Sequence, residues 1–364
     1  MKYAHVYALF LMFVFYNACG QNQTNLSKDN VSKGEYTESQ LKESDTSKLP
    51  RSQVRNIKQA RNGDMLISSF LGVFRYNGTS FTNLTSTIKS PSFWDVLEDR
   101  KGNLWFATRD SGVYLLPSGQ TNFQHFTTKQ GLASNYGATH LYEDKAGNIW
   151  FGGGRYDARL PARAGSGGND GVGQGKSFRN FTTNVGFPNI YFSTMIEDIT
   201  GKLWIGTRGE VFVYDGIRFT PVIYEGKTFN NVWSIIEDKK GNIWFGDTDG
   251  LWRYDGSIFT KVSQRGAYGI IEDRKGNIWT TGEINPNGKI WALSFYDQKS
   301  LYDKMPTVKE IKTGGFMDFL ALFEANDGSI WFGAAGGVYR YDARPNGSSG
   351  RGKNITDFKT AAGH

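Results

Sequence analysis

One phrase, Glu-Asp-x-x-Gly-Asn-Ile-Trp with small variations, recurs along the chain and constrains its fold more than any other feature. Copies run Glu98 to Trp105, Glu143 to Trp150, Glu197 to Trp204, Glu237 to Trp244 and Glu272 to Trp279. A sixth, Glu324-Ala325 to Trp331, keeps the Trp and loses the Asp, and a degenerate seventh places Leu66 in the Trp column. From Leu66 the column steps through Trp105, Trp150, Trp204, Trp244, Trp279 and Trp331 at intervals of 39, 45, 54, 40, 35 and 52 residues. Intervals of roughly 40 to 50 residues suit one four-stranded sheet per unit.

The cleanest unit resolves into strands over 232–238, 242–247, 250–254 and 258–262. Its first turn, Asp238 to Asn242, joins an Asp that can accept turn amides to a Gly that can take positive φ. Its last turn, Tyr254-Asp255-Gly256-Ser257, carries the Asp-Gly hairpin signal, and Tyr214-Asp215-Gly216 and Tyr76-Asn77-Gly78 repeat it. Connections this short leave no room for crossover helices, so the sheets are antiparallel. The first strands supply two apolar columns: Ile57, Val96, Leu141, Met195, Ile235, Ile270 and Leu322, beside Lys58, Leu97, Tyr142, Ile196, Ile236, Ile271 and Phe323. Adjacent residues point to opposite faces, so each sheet needs a neighbour on both sides. Sheets stacked around an axis meet that need, and the expected fold is an all-β, seven-bladed propeller of four-stranded antiparallel blades over residues 51–364. Two Gly-rich insertions, after Tyr156-Asp157-Ala158-Arg159 and after Tyr341-Asp342-Ala343-Arg344, are expected between third and fourth strands. Residues 298–315 are expected as a long connection between the last two blades. No strand exchange closes the ring, so closure is expected from packing of the last blade on the first.

The N-terminus reads differently. Residues 1–18 form an export signal with an apolar run, 4–16, too short to span a bilayer. Ala18-Cys19-Gly20 resembles the lipobox of bacterial lipoproteins, which implies lipidation of Cys19, the one cysteine in the chain. Residues 19–50 are polar and expected to act as a flexible tether. The expected location is an outer-membrane or cell-surface lipoprotein, touching the membrane through its anchor alone. Net charge is +7 but dispersed, with no Lys/Arg run, which argues against a nucleic-acid partner.

The units resemble the two-component-regulator propeller repeat, an apolar strand followed by Glu-Asp-x-x-Gly-x-Leu/Ile-Trp-Ile/Phe-Gly-Thr and Gly-Leu. Glu98 to Thr108, Glu143 to Gly152, Glu197 to Thr207, and Glu237 to Gly246 with Gly250-Leu251 carry the match, and Gly131-Leu132-Ala133-Ser134-Asn135 resembles the loop leading into such units. The resemblance implies an extracytoplasmic sensing domain responsive to glycans. A transmembrane helix, an immunoglobulin-like connector and a kinase are not found after the repeats, so a stand-alone sensor-like binder is expected.

Chemistry is sparse. The Glu-Asp pairs are expected as turn caps, because carboxylates spread around a ring do not converge on one pocket. His125 and His140 are the only histidines between the signal and the tail. Streptogramin lyases resemble this architecture and depend on His and Glu with a metal, and here no such set is assembled, so no catalytic residue, metal or cofactor is assigned. A propeller lyase or hydrolase and a structural interaction scaffold stay open as alternatives. Ligand contacts are expected at one mouth of the axial channel, where first strands begin and second-to-third loops gather. Arg55, Trp94, Arg109, His140, Arg208, Trp233, Asp249 and Tyr268 are the candidate binding residues, with packing between blades an equal reading for Trp94 and Trp233. A glycan, a peptide or a partner protein is the expected ligand, and a monomer the expected state.

Overall fold

The computed structural model describes residues 49–89, 92–132, 138–153, 163–167, 178–181, 192–229, 231–285, 288–342 and 355–358. They belong to one compact unit, Ser44–His364. The signal, Cys19 and the tether lie outside the described residues.

The architecture is an all-β propeller of four-stranded antiparallel blades, with no α-helix among the described residues. Six sheets are described with side chains on all four strands. They begin at Val54–Gln59, Phe93–Glu98, Phe192–Glu197, Ser234–Glu237, Gly269–Glu272 and Leu322–Glu324, and each runs first to fourth strand in chain order. Between the second and third of these lies the unit starting at His140–Glu143. It pairs with Ile149–Gly153, and backbone pairing continues through Arg163–Gly167 to Phe178–Phe181.

Two expectations about this layout are corrected. The third strand of the His140 unit is Arg163–Gly167, not the segment ending near Tyr156, so the Gly-rich insertion is split by a strand. Residues 298–315 are not merely a connection, because Val308–Gly314 pairs with Trp291–Tyr296 as an outer strand. A small hairpin, Ile223–Tyr224 with Lys227–Thr228, also follows the Phe192 sheet.

The repeated phrase does three jobs. Its Gly makes the turn: Gly241 has φ +82°, a left-handed conformation that costs glycine nothing, and its N–H donates to the Asp238 carbonyl at 2.9 Å. The Asp holds that turn and the Trp together. Asp238 Oδ1 accepts the N–H of Lys240 and Asn242, while Oδ2 accepts Asn242 Nδ2 and the Trp244 indole N–H, both at 2.7 Å. The same Asp-to-indole bond forms at Asp99–Trp105, Asp144–Trp150, Asp198–Trp204 and Asp273–Trp279, between 2.7 and 2.9 Å. Where Ala325 replaces the Asp, Ser329 Oγ takes the Trp331 N–H at 3.1 Å.

The Glu does not cap its own turn, contrary to expectation. Its carboxylate accepts the first turn amide of the preceding unit: Glu98 from Arg61, Glu143 from Arg100, Glu197 from Lys145, Glu237 from Ile199 and Glu272 from Lys239. Long basic side chains return the favour, with Lys145 Nζ donating to the Asp198 carbonyl and Lys239 Nζ to that of Asp273. Gln59 stands at the Glu position of the first sheet and accepts the Asn326 N–H from the last. That contact, with the apolar cluster of Val54, Ile57, Ile67 and Phe74 against Trp331 and Val338, closes the ring by packing.

Each Trp fills the gap to the next sheet. Trp204 packs with Ile235, Ile243 and Phe245, and Trp244 with Ile270, Ile278 and Tyr296. The Gly two residues after Trp150, Trp204, Trp244 and Trp331 permits a close approach there, while Ala107 and Thr281 hold that place after Trp105 and Trp279. A Cβ on Gly246 would lie 2.0 Å from the Ala267 carbonyl oxygen, and one on Gly206 3.1 Å from Val232 Cγ1. Burial of these aromatic faces, at about 25 cal/mol per Å², supplies the main driving force between sheets.

Candidate binding mouth

The first strands surround a cavity of about 670 Å³ that runs along the axis. Its wall changes character in three tiers set by strand alternation. At one end are Arg55, Trp94, Thr139, Ser193, Trp233, Tyr268 and Leu320, joined by Arg208 from a second-to-third loop. The middle is small or polar, with Asn56, His140, Thr194, Ser234, Gly269 and Ala321. The far end is mostly apolar, with Leu97, Tyr142, Ile196, Ile236 and Phe323 around Lys58.

Six of the eight candidate residues line this cavity: Arg55, Trp94, His140, Arg208, Trp233 and Tyr268, each from a different sheet. Arg109 and Asp249 do not. Both are solvent-exposed on their loops, and their backbone amides are tied to the Ser92 carbonyl and Asp247 Oδ1 respectively. A loop position in sequence does not fix which way the loop leans, and these two lie outside the cavity lining.

Cations and aromatic rings are paired at the mouth. The Arg55 guanidinium lies 3.9 Å from the Trp94 ring centroid and 5.4 Å from Phe70. Across the opening, Arg208 sits 4.6 Å from Trp233. A run of rings then leads outward, Trp233 to Tyr268 at 5.4 Å, Tyr268 to Trp291 at 4.4 Å and Trp291 to Phe316 at 6.1 Å. The indole nitrogens of Trp94 and Trp233 are buried donors with no protein acceptor. Tyr268 donates to Glu283 Oε1 at 3.4 Å, and burial, followed by the Glu283 charge, raises its phenol well above the usual range. Burial pushes Asp247 up to about 6, reinforced by the nearby Asp249 charge.

Deeper in, the sequence reading missed a buried carboxylate. Asp95 is fully buried and accepts Asn56 Nδ2 at 2.8 Å, the Leu141 N–H at 2.8 Å and Lys58 Nζ at 2.9 Å. His140 Nδ1 lies 3.4 Å from the same carboxylate. Three consecutive sheets are thereby tied at the axis. Burial lowers the His140 pKa to about 4 against the opposing pull of Asp95, so the imidazole is neutral near pH 7, and it also hydrogen-bonds the Met195 backbone. The signal was present: the column holding Asp95 reads Asn, Asp, His, Thr, Ser, Gly and Ala around the ring.

Among the described residues no group of three or more His, Cys, Asp and Glu side chains could hold a metal ion. No helix among them is long and apolar enough to cross a membrane.

Three segments, 87–110, 131–155 and 226–249, match the family model described as the two component regulator propeller. They are two-component-regulator propeller repeats. The match spans the Asp99–Trp105, Asp144–Trp150 and Asp238–Trp244 clasps of these repeats. No curated protein sequence matches the chain. Among solved structures, the extracellular domain of a one component system from B. thetaiotaomicron aligns with a TM-score of 0.62 at 15% identity, covering 79% of this chain. The alignment takes in 38% of that protein, so this chain spans well under half its length. A streptogramin B lyase aligns with a TM-score of 0.62 at 13% identity, covering 80% of this chain and 94% of the lyase. Virginiamycin B lyase from Staphylococcus aureus gives 0.60 at 13% identity, with 80% and 96% covered. At such identities the likeness speaks to the fold of these repeats and no further.

Proposed function

We propose that this chain is a monomeric, seven-bladed binding propeller, exported and held by a lipid on Cys19, that recognises a glycan, a peptide or a partner protein at the channel mouth. The observation that carries the reading is convergence. Arg55, Trp94, His140, Arg208, Trp233 and Tyr268 come from six sheets and meet around one cavity, while the scaffold residues repeat from sheet to sheet. Rings stacked with guanidinium groups offer flat apolar faces edged by hydrogen-bond donors, a common way to hold sugars and peptides. The extracellular source of the one component system relative supports an extracytoplasmic setting. An array of glycans and peptides probed with the full chain tests this, and loss of every hit in Arg55→Gln with Arg208→Gln is the expected result. Hits that survive both substitutions would move the site off the mouth. For the anchor, unchanged membrane association in Cys19→Ser would contradict lipidation.

A lyase is the second reading, favoured by fold likeness to the streptogramin B and virginiamycin B lyases. His140 argues against it, because its ring is held between Asp95 and the Met195 backbone, away from the mouth tier. Streptogramin cleavage by the full chain, abolished in His140→Ala, would restore that reading.

A further inference from the structure

We infer that one sector of the end opposite the mouth rests on an anionic lipid surface, dipping apolar turn tips into it and meeting lipid phosphates with the cations around them. Strands alternate in direction within each sheet, so the turns after first and third strands share one end, away from the mouth. Five of the eight large apolar side chains exposed among the described residues stand on those turns, in three consecutive sheets. They are Ile199 and Ile217, then Ile258, then Tyr302 and Met305. The turns themselves do not call for them. Thr79 holds the place of Ile217 in the first sheet, and Arg100, Lys145, Lys239 and Arg274 hold that of Ile199 in others. Ile217 and Met305 are 80% and 84% exposed, too far out to serve the core.

Exposed cations stand beside these tips: Arg218, Lys239, Lys240, Arg274, Lys275 and Lys304. Lys240 Nζ and the Arg253 guanidinium both sit over the Tyr302 ring, 4.2 and 4.4 Å from its centroid. The exposed carboxylates of the same turns are Asp215, Asp255 and Asp303, and the first two are folded back onto their own turn amides. Glu197, Glu237, Glu272 and Asp297 lie half-buried beneath, each accepting a turn amide, and the clasp aspartates are deeper still. The outermost layer is therefore positive, which complements phosphate headgroups. Apolar tips on separate turns make no continuous dry patch for a protein partner. Fluid acyl chains take each tip singly while the cations stay at phosphate level. Docked this way, the mouth stays clear of the membrane.

Cys19 is the one cysteine, so the full chain with Cys19→Ser can carry an environment-sensitive fluorophore on Ile217→Cys, Met305→Cys or Thr79→Cys. Near-ultraviolet circular dichroism checks that each variant keeps its aromatic packing. Phosphatidylglycerol vesicles should shift the emission to the blue at 217 and 305 and leave it unchanged at 79, and phosphatidylcholine vesicles should shift none. Added salt, or Lys240→Gln with Lys275→Gln, should weaken the response at 305, the paired substitution by roughly tenfold or more in affinity. Equal shifts on both lipids, a shift at 79, no shift at 217 and 305, or indifference to the paired Lys substitution would each overturn the inference. A blue shift that needs only higher protein concentration would show a second copy covering the face, and would overturn it too. None of these outcomes bears on the mouth.

Discussion

Replacing Asp238 by Ala isolates the interaction that defines each repeat. The carboxylate accepts four hydrogen bonds, from Lys240 N, Asn242 N, Asn242 Nδ2 and Trp244 Nε1. The Lys240 amide sits in an exposed turn and can turn to water. The Trp244 ring is fully buried and Asn242 is nearly so, and neither can. Stranding a buried donor costs about 1–3 kcal/mol, and bonds to a charged acceptor contribute at the upper end. The expected destabilisation is therefore about 3–5 kcal/mol, read from equilibrium urea unfolding followed by intrinsic fluorescence. The molecule already contains a partial remedy. At Ala325 and Ser329 the Asp is absent and a Ser four residues later takes the indole N–H. Asp238→Ala combined with Asn242→Ser copies that arrangement and should recover about 1–2 kcal/mol. A loss below about 1 kcal/mol for the single variant would refute the clasp as a source of stability.

Three further outcomes follow from the axis and the sheet gaps. Asp95→Ala strands the Lys58 ammonium and the Leu141 amide, and should cost about 3–5 kcal/mol, whereas Asp95→Ala with Lys58→Met should cost less; urea unfolding of both checks the order. His140 has a folded pKa near 4 against 6.5 unfolded, so the unfolded state takes the proton first. Stability is then complete above pH 6.5 and falls by roughly 3 kcal/mol as the pH drops to 4, and His140→Gln should flatten that window in a pH series of thermal melts. Gly246→Val drives a Cβ to 2.0 Å from the Ala267 carbonyl oxygen and should destabilise by more than about 3 kcal/mol, with circular dichroism reporting the lowered melting point.

How much of this could be read from the chain depended on whether a residue's job repeats. Trp105, Trp150, Trp204, Trp244 and Trp279 make the same Asp-to-indole bond at the same place in each unit, so their column marked the sheets and gaps directly. Glu98 and its equivalents repeat too, but their partner is an amide in the preceding unit, a contact invisible within one copy. Gln59 was the clue, since it keeps an acceptor where the carboxylate is lost. The strand Arg163-Ala164-Gly165-Ser166-Gly167 shows no apolar alternation and is set by backbone pairing alone, so pattern could not find it. The mouth was legible because Arg55, Trp94, Trp233 and Tyr268 sit at the start of first strands, whose direction the repeat fixes. Arg109 and Asp249 lie outside the cavity lining, because loop direction is set by local packing rather than by the repeat. Asp95 was overlooked because its partners, Lys58 and His140, lie in two other units.

The mouth itself is tested most directly by one comparison. Glycan and peptide arrays are probed with the wild-type chain and with Arg55→Gln plus Arg208→Gln, after unfolding curves show equal stability. A ligand bound by the wild type and lost by the double variant is the expected result. The same ligand held with equal affinity by both would contradict recognition at the channel mouth.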